Sequence, residues 1–168
     1  PLSLVTLAGC TPPEFDVKII DEHVDNINYE ERTDLVGITA CSWQATRVYE
    51  IAGEYKKRGV PVIMGGIHAS MVPEEAKQFV DSVVVGEAEE IWPGILRDFQ
   101  KGNLQEYYLA KERPDLKKLI IPRWDLLKIK NYGFITIQTT RGCPYSCEFC
   151  SVQKFNGRKY RRKPIEHI

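Results

Sequence analysis

Val60-Pro61-Val62-Ile63-Met64-Gly65-Gly66-Ile67-His68-Ala69-Ser70 is the stretch that decides the fold. An apolar run rich in β-branched residues, closed by two glycines, predicts a strand buried on both faces, as parallel sheets require, and a tight turn at its carboxyl end. Four further runs read the same way: Val17-Lys18-Ile19-Ile20, Leu35-Val36-Gly37-Ile38, Ser82-Val83-Val84-Val85 and Phe134-Ile135-Thr136-Ile137-Gln138. Helical spacing fills the gaps. Thr46 to Arg58 places Val48, Ile51, Ala52 and Tyr55 on one face and stops at Gly59. Val72-Pro73-Glu74-Glu75-Ala76 starts a short second helix with proline and acids, and Ile91, Ile95, Leu96 and Phe99 face a third before Gly102. Strand and helix alternate, which predicts βαβ units, a parallel sheet and the α/β class.

The whole-chain numbers set bounds. Lys plus Arg (23) balance Asp plus Glu (23) in 168 residues, so no global field draws the chain to nucleic acid or to an anionic membrane, and neither is expected as a partner. No apolar run reaches the roughly 18 residues of a membrane span, and Pro1-Leu2-Ser3 has no basic signal region; a cytoplasmic location is expected. Hydrolase chemistry is disfavoured, because G-x-S-x-G is absent, as are the Walker and dinucleotide phosphate fingerprints. Glu87, Glu89 and Glu90 read as dipole-stabilising acids at a helix start.

The five cysteines are unevenly spread: Cys10 and Cys41 stand alone, while Cys143, Cys147 and Cys150 lie in one C-x3-C-x2-C segment. A secreted disulfide framework shows an even count and a wider spread, so the triplet reads as a metal site. Three thiolates on a tight loop after a strand leave one metal position open, which suits a substrate or cofactor; structural zinc is normally closed by a fourth protein ligand. From the residues alone, the alternative is a non-catalytic zinc-binding module completed by His167 or by a residue further on.

Thr139-Thr140-Arg141-Gly142-Cys143, the C-x3-C-x2-C spacing and Phe149 immediately before the last cysteine together resemble the radical S-adenosylmethionine (SAM) enzymes. The resemblance implies a [4Fe-4S] cluster on Cys143, Cys147 and Cys150, with SAM chelating the fourth iron and Phe149 lying beside its adenine. It further implies reductive cleavage of SAM to a 5′-deoxyadenosyl radical, a small-molecule substrate, and an electron donor such as flavodoxin or ferredoxin. Arg158-Lys159-Tyr160-Arg161-Arg162-Lys163 is expected to be a solvated exit from this loop, leading into a helix at Pro164.

Ligands of open parallel sheets bind at the carboxyl ends of the strands. Three loops at such ends stand out: Thr39-Ala40-Cys41-Ser42-Trp43, Gly65 to Ser70, and Gly86-Glu87-Ala88-Glu89-Glu90. The order V-G-I-T-A, V-I-M-G-G-I-H-A, V-V-V-G-E-A-E resembles the cobalamin-binding domain that precedes many radical SAM barrels, over about Pro1 to Lys101. The resemblance implies cobalamin near Ser42, Gly65, Gly66, His68, Gly86 and Glu87, with His68 toward its tail. One departure is plain. Where cobalamin mutases carry D-x-H-x-x-G after the first strand, this chain has Asp21-Glu22-His23-Val24-Asp25-Asn26 after the second and no glycine. His23 is therefore read as a surface or capping residue, and cobalamin as bound without that ligand.

The expected organisation is a Rossmann-like, cobalamin-binding-type α/β domain over 1–102 lacking its first strand, a linker over 103–132, and the start of a radical SAM partial (β/α) barrel with its cluster loop over 133–168. Pro114, Pro122 and the charges around them mark the linker. Both ends read as cut, so the chain is expected to be a piece of a longer enzyme, inactive alone, that methylates, cyclises or rearranges an unactivated substrate. No catalytic residue is assigned. The radical SAM methylthiotransferases are the rival within the resemblance: Cys10 and Cys41 mimic two of the three cysteines of their second cluster, and no cysteine between Cys41 and Cys143 supplies the third.

Overall fold

The computed structural model describes residues 2–167; Pro1 and Ile168, the outer bounds of the expected domains, lie outside the described residues. In chain order the elements are α1 (Leu2–Gly9), β1 (Val36–Thr39), α2 (Ala45–Lys57), β2 (Val62–Gly65), α3 (Gly66–Met71), α4 (Pro73–Lys77), β3 (Ser82–Val85), α5 (Trp92–Gln100), β4 (Tyr107–Leu109), β5 (Thr140–Arg141), α6 (Val152–Asn156) and β6 (Arg161–Arg162). They divide between two compact units: residues 28–111, and the residues up to Ile27 together with those from Glu112 on.

The 28–111 unit is a four-stranded parallel sheet in the order β1-β2-β3-β4, with Val36 opposite Val62, Ile63 opposite Ser82 and Val83 opposite Tyr107. The expected α/β parallel sheet is present. Its central strands are the apolar runs of the sequence: Val62, Ile63, Met64, Val83 and Val84 are buried on both faces, which a sheet flanked by crossover helices demands. Helix α2 buries the anticipated Val48, Ile51, Ala52 and Tyr55 and stops at Gly59, whose φ of 73° only glycine adopts cheaply. Pro73 occupies the first turn of α4, and α5 buries Ile95 and Leu96 along with Trp92. Two differences stand out. Gly65 to Ser70 reads as a loop, whereas Gly66–Met71 winds into α3 directly off β2. Tyr107–Leu109, inside the expected connector, pairs in parallel with β3 as the fourth strand; three residues are too few for alternation to register.

In the other unit, α1 buries Val5, Thr6 and Ala8. Backbone of the 120–123 segment runs beside it: Arg123 N donates to Val5 O at 2.9 Å, and a Cβ on Gly9 would sit 2.9 Å from Ile121 O. Pro114, Leu116 and Leu119 are buried, so the proline-marked stretch is packed. Two expected strands are absent. Val17–Ile20 and Phe134–Gln138 have β-favouring residues, yet among the described residues neither pairs with another segment. Strand propensity without a ladder partner yields extended chain only. Beyond Gln138, β5 and β6 form a two-residue antiparallel pairing, Thr140 opposite Arg162, with α6 between them.

Among the described residues, no helix is long and apolar enough to cross a membrane.

Candidate functional site

The carboxyl edge of the parallel sheet carries the first site. The chain leaves β1 into Ala40, Cys41 and Ser42, leaves β2 through Gly65 into α3, and leaves β3 through Gly86 and Glu87. Gly66 has φ 89°, and a Cβ there would lie 2.5 Å from Thr39 Oγ1 and 3.3 Å from Ala40 N. The second glycine of the pair is thus required by the approach of β1's exit to α3, and His68 N seals that approach by donating to Ala40 O at 3.2 Å. Ser70 Oγ donates to Gly66 O at 2.8 Å and accepts from Gly86 N at 2.9 Å, linking the second loop to the third. Glycine at 86, with φ 96°, lets the chain pass Ala110, whose Cβ would be 3.0 Å from an added Cβ.

His68, expected within the glycine loop, stands on α3 and is 4% exposed. Nδ1 lies 3.1 Å from Ser42 Oγ, and Nε2 lies 2.7 Å from the Tyr49 hydroxyl on α2. Tyr49 in turn donates to Glu75 Oε1 on α4 at 3.0 Å. Its ring stacks on Phe79 at 3.9 Å, interplanar angle 10°. Burial, and then the Glu75 carboxylate as partner and as charge, push the Tyr49 phenol up to about 12. Sequence reasoning found Ser42 and His68 and missed Tyr49, Glu75 and Ser70. Tyr49 sits beside the apolar stripe of α2, and no spacing rule marks a hydroxyl that meets a histidine 19 residues on. Glu87 is buried, while Cys41, Ser42 and Trp43 are exposed, Trp43 to 78%. The edge thus pairs small residues at three strand ends with an open aromatic loop, at the end of the sheet where ligands of open parallel sheets bind.

The second site is the cysteine loop, in the other unit. Its base is set by glycine: Gly142 has φ 90°, and any Cβ there would fall 2.1 Å from Lys159 O. Cys143 N donates to Gly157 O at 3.0 Å, and Lys163 N donates to Thr139 O at 2.8 Å, closing the loop's two ends together. Arg161, read as part of a solvated basic exit, is partly buried and donates to Pro114 O at 2.8 Å and to Asn156 O at 3.0 Å. Arg113 reaches Phe155 O at 3.3 Å. Within this frame Cys143 and Cys150 are half-buried and Cys147 is exposed; all three are free thiols, and Cys150 N donates to Cys147 O at 3.1 Å. Phe149 is 93% exposed. Among the described residues, no three His, Cys, Asp or Glu side chains gather into a metal-binding group, so neither the three thiols nor a set including His167 is assembled. By chemistry the donor set fits an iron–sulfur cluster, which takes cysteine thiolates from one short loop.

Of the two unassigned cysteines, Cys10 is buried and Cys41 exposed. His23 is an exposed residue whose Nδ1 lies 2.9 Å from Asp21 Oδ1, a local turn contact.

Comparison with known proteins adds a family. Residues 1–96 match the B12 binding domain. The chain is 40% identical over 95% of its length to the bacteriochlorophyllide d C-8(2)-methyltransferase of Chlorobaculum tepidum, covering 37% of that protein. It is 34% identical over 97% of its length to an uncharacterized methyltransferase of Synechocystis, covering 31% of it. It is also 26% identical over 91% of its length to the anaerobic magnesium-protoporphyrin IX monomethyl ester cyclase of Rubrivivax gelatinosus, covering 35%. The chain thus spans about a third of the length of the curated relatives it matches. The match to the B12 binding domain bears out the resemblance drawn from the strand-end loops.

Proposed function

Starting from the membership of this chain in the B12-binding-domain family, we propose that it forms the cofactor-binding part of a cobalamin-dependent radical SAM enzyme whose reaction is methyl transfer to an unactivated carbon. The observation that carries the reading is the pairing, in one chain, of a B12 binding domain with three free thiols in the C-x3-C-x2-C loop behind Gly142. Methyltransferase is also the activity named for the relatives from Chlorobaculum tepidum and Synechocystis.

When bound, a [4Fe-4S] cluster with SAM would supply one-electron radical chemistry, and cobalamin would supply a transferable methyl group. The chain's own residues do the holding. Cys143, Cys147 and Cys150 would ligate the iron, and the Gly142 turn sets where their loop departs. Phe149 offers an apolar ring to the adenine. At the sheet edge, Gly66 and Gly86 let neighbouring backbone approach closely, and Gly65, Ser42 and Glu87 lie on the loops that would border the cofactor. The partners are a small-molecule substrate and a one-electron donor of the flavodoxin or ferredoxin class, and the cytoplasm, which keeps thiols reduced, is the compartment.

Anaerobic reconstitution with iron and sulfide tests the cluster: a brown chain with about four irons is expected, and Cys143→Ala, Cys147→Ala or Cys150→Ala should each lose them. One zinc per chain without iron would instead establish the zinc-binding reading. Equilibrium dialysis against hydroxocobalamin tests the other half separately.

A further inference from the structure

The Ser42, His68, Tyr49 and Glu75 contacts form a chain in which hydrogens can be counted. A carboxylate only accepts, so the Tyr49 hydroxyl directs its single hydrogen at Glu75 Oε1, 3.0 Å away. The Tyr49 oxygen then meets His68 Nε2 at 2.7 Å as an acceptor, which places a hydrogen on Nε2. In the neutral imidazole the other nitrogen accepts. The partner of Nδ1, at 3.1 Å, is Ser42 Oγ, which must therefore donate. Ser42 is exposed at the carboxyl edge, so its hydrogen points into the protein and its remaining lone pairs face out. Phe79 stacked on Tyr49 and the near-complete burial of His68 hold both rings in the orientation the count needs.

We infer that the Glu75–Tyr49–His68 relay orients Ser42 as a hydrogen-bond acceptor toward the ligand of the sheet edge, so that this position takes a neutral N–H or O–H donor and disfavours an anionic group. The ligand identity rests on the cobalamin reading proposed for this edge. Cobalamin offers such donors from two places, the carboxamides around its corrin ring and the ribose hydroxyl of its nucleotide tail. Tyr49, His68 and Glu75 are positioning residues here; only Ser42 touches the ligand.

Two measurements on the 168-residue chain test this. Long-range proton–nitrogen NMR of the ligand-free protein at neutral pH reads the His68 tautomer directly. Hydrogen on Nε2 with Nδ1 bare is expected, and Tyr49→Phe should erase that preference while far-ultraviolet circular dichroism stays unchanged. A ring protonated on Nδ1, or on both nitrogens, overturns the relay whether or not cobalamin binds.

Hydroxocobalamin affinity is the second readout. Ser42→Ala and Tyr49→Phe should each weaken binding about fivefold to tenfold, and the Tyr49→Phe effect should vanish in the Ser42→Ala background, because it acts through Ser42. Wild-type affinity in Tyr49→Phe alongside a weakened Ser42→Ala overturns the relay and leaves the cobalamin site standing. A wild-type chain that binds no hydroxocobalamin overturns the cobalamin reading and this ligand assignment together, while the tautomer is still decided by NMR. Repeating the titration with cobinamide, which lacks the nucleotide, distinguishes the donors: a Ser42→Ala penalty that persists identifies a corrin carboxamide, and one that disappears identifies the tail.

Discussion

The sheet edge and the cysteine loop differ in what holds their functional side chains. At the sheet edge the side chains hold one another: His68 is buried between Ser42 and Tyr49, Tyr49 is stacked on Phe79 and bonded to Glu75, and Ser70 ties Gly66 to Gly86. In the cysteine loop the backbone is held and the side chains are not. Gly142, Gly157 and Lys163 close its base, while Cys147 and Phe149 stand exposed and the thiols are not gathered. A broad organic ligand that binds through shape and neutral hydrogen bonds needs a preformed surface. A metal centre supplies its own ordering energy when the ligands close on it. The contrast matches the cofactors proposed for the two places.

If that contrast is right, stability concentrates in the sheet unit and ligand dependence in the loop. The largest expected effect comes from Met64→Ala at the centre of β2, where the side chain is fully buried between β1 and β3. It should cost about 2–5 kcal/mol, read as a lowered urea midpoint at unchanged slope. Gly66→Ala comes next: its positive φ costs about 1–3 kcal/mol, and the added Cβ would meet Thr39 Oγ1 at 2.5 Å and the Ala40 backbone, so cobalamin affinity should fall with stability. Gly142→Ala is the matching change in the loop. Its Cβ would fall on Lys159 O, a backbone atom that can yield only by opening the loop base. Iron incorporation should be lost there while the sheet unit's circular dichroism is retained; unaltered iron content would break the view that the base positions the donors.

Legibility followed the same division. β2, β3 and α2 were readable because an element buried on both faces or along one stripe writes that burial into its sequence, as at Val62 to Met64 and at Val48 to Tyr55. β4 was not, since three residues carry no period, and α3 was not, because Gly-Gly signals a turn more strongly than a helix. Val17–Ile20 and Phe134–Gln138 show the opposite error: strand composition is local, whereas a ladder needs a second segment that composition cannot name. At the sites, the cysteine triplet was legible from spacing alone. The partners of His68 were not, because Tyr49 and Glu75 come from two other helices and converge only through the fold.

Each unit also holds one tyrosine whose phenol is pushed up to about 12: Tyr49 by burial and by Glu75, and Tyr132 by burial and by Asp21, to which its hydroxyl donates at 3.1 Å. The folded state therefore keeps protons that the unfolded state releases near the ordinary value of 10.0. Fewer protons bound in the unfolded state means that stability falls as pH rises. The loss should run between about 10 and about 12 and be absent at neutral pH. Tyr49→Phe should flatten the alkaline loss for the sheet unit and Tyr132→Phe for the other, followed by tyrosinate absorbance and circular dichroism. If either variant leaves the alkaline limb unmoved, its phenol is not titrating late.

The smallest effect on stability is expected at Phe149. A side chain 93% exposed has almost no folded-state contact to lose, so Phe149→Ala should shift stability, read at the urea midpoint, by no more than about 0.5 kcal/mol. An aromatic of this size left open to water, one position before a cysteine, has its use in a bound state. In the reconstituted chain Phe149→Ala should therefore keep its iron yet weaken SAM binding by about tenfold, the loss of one ring's apolar contact. Unchanged SAM affinity would remove Phe149 from the adenine site. A large loss of stability instead would show that the loop's side chains are already packed, and the difference between the two regions would close.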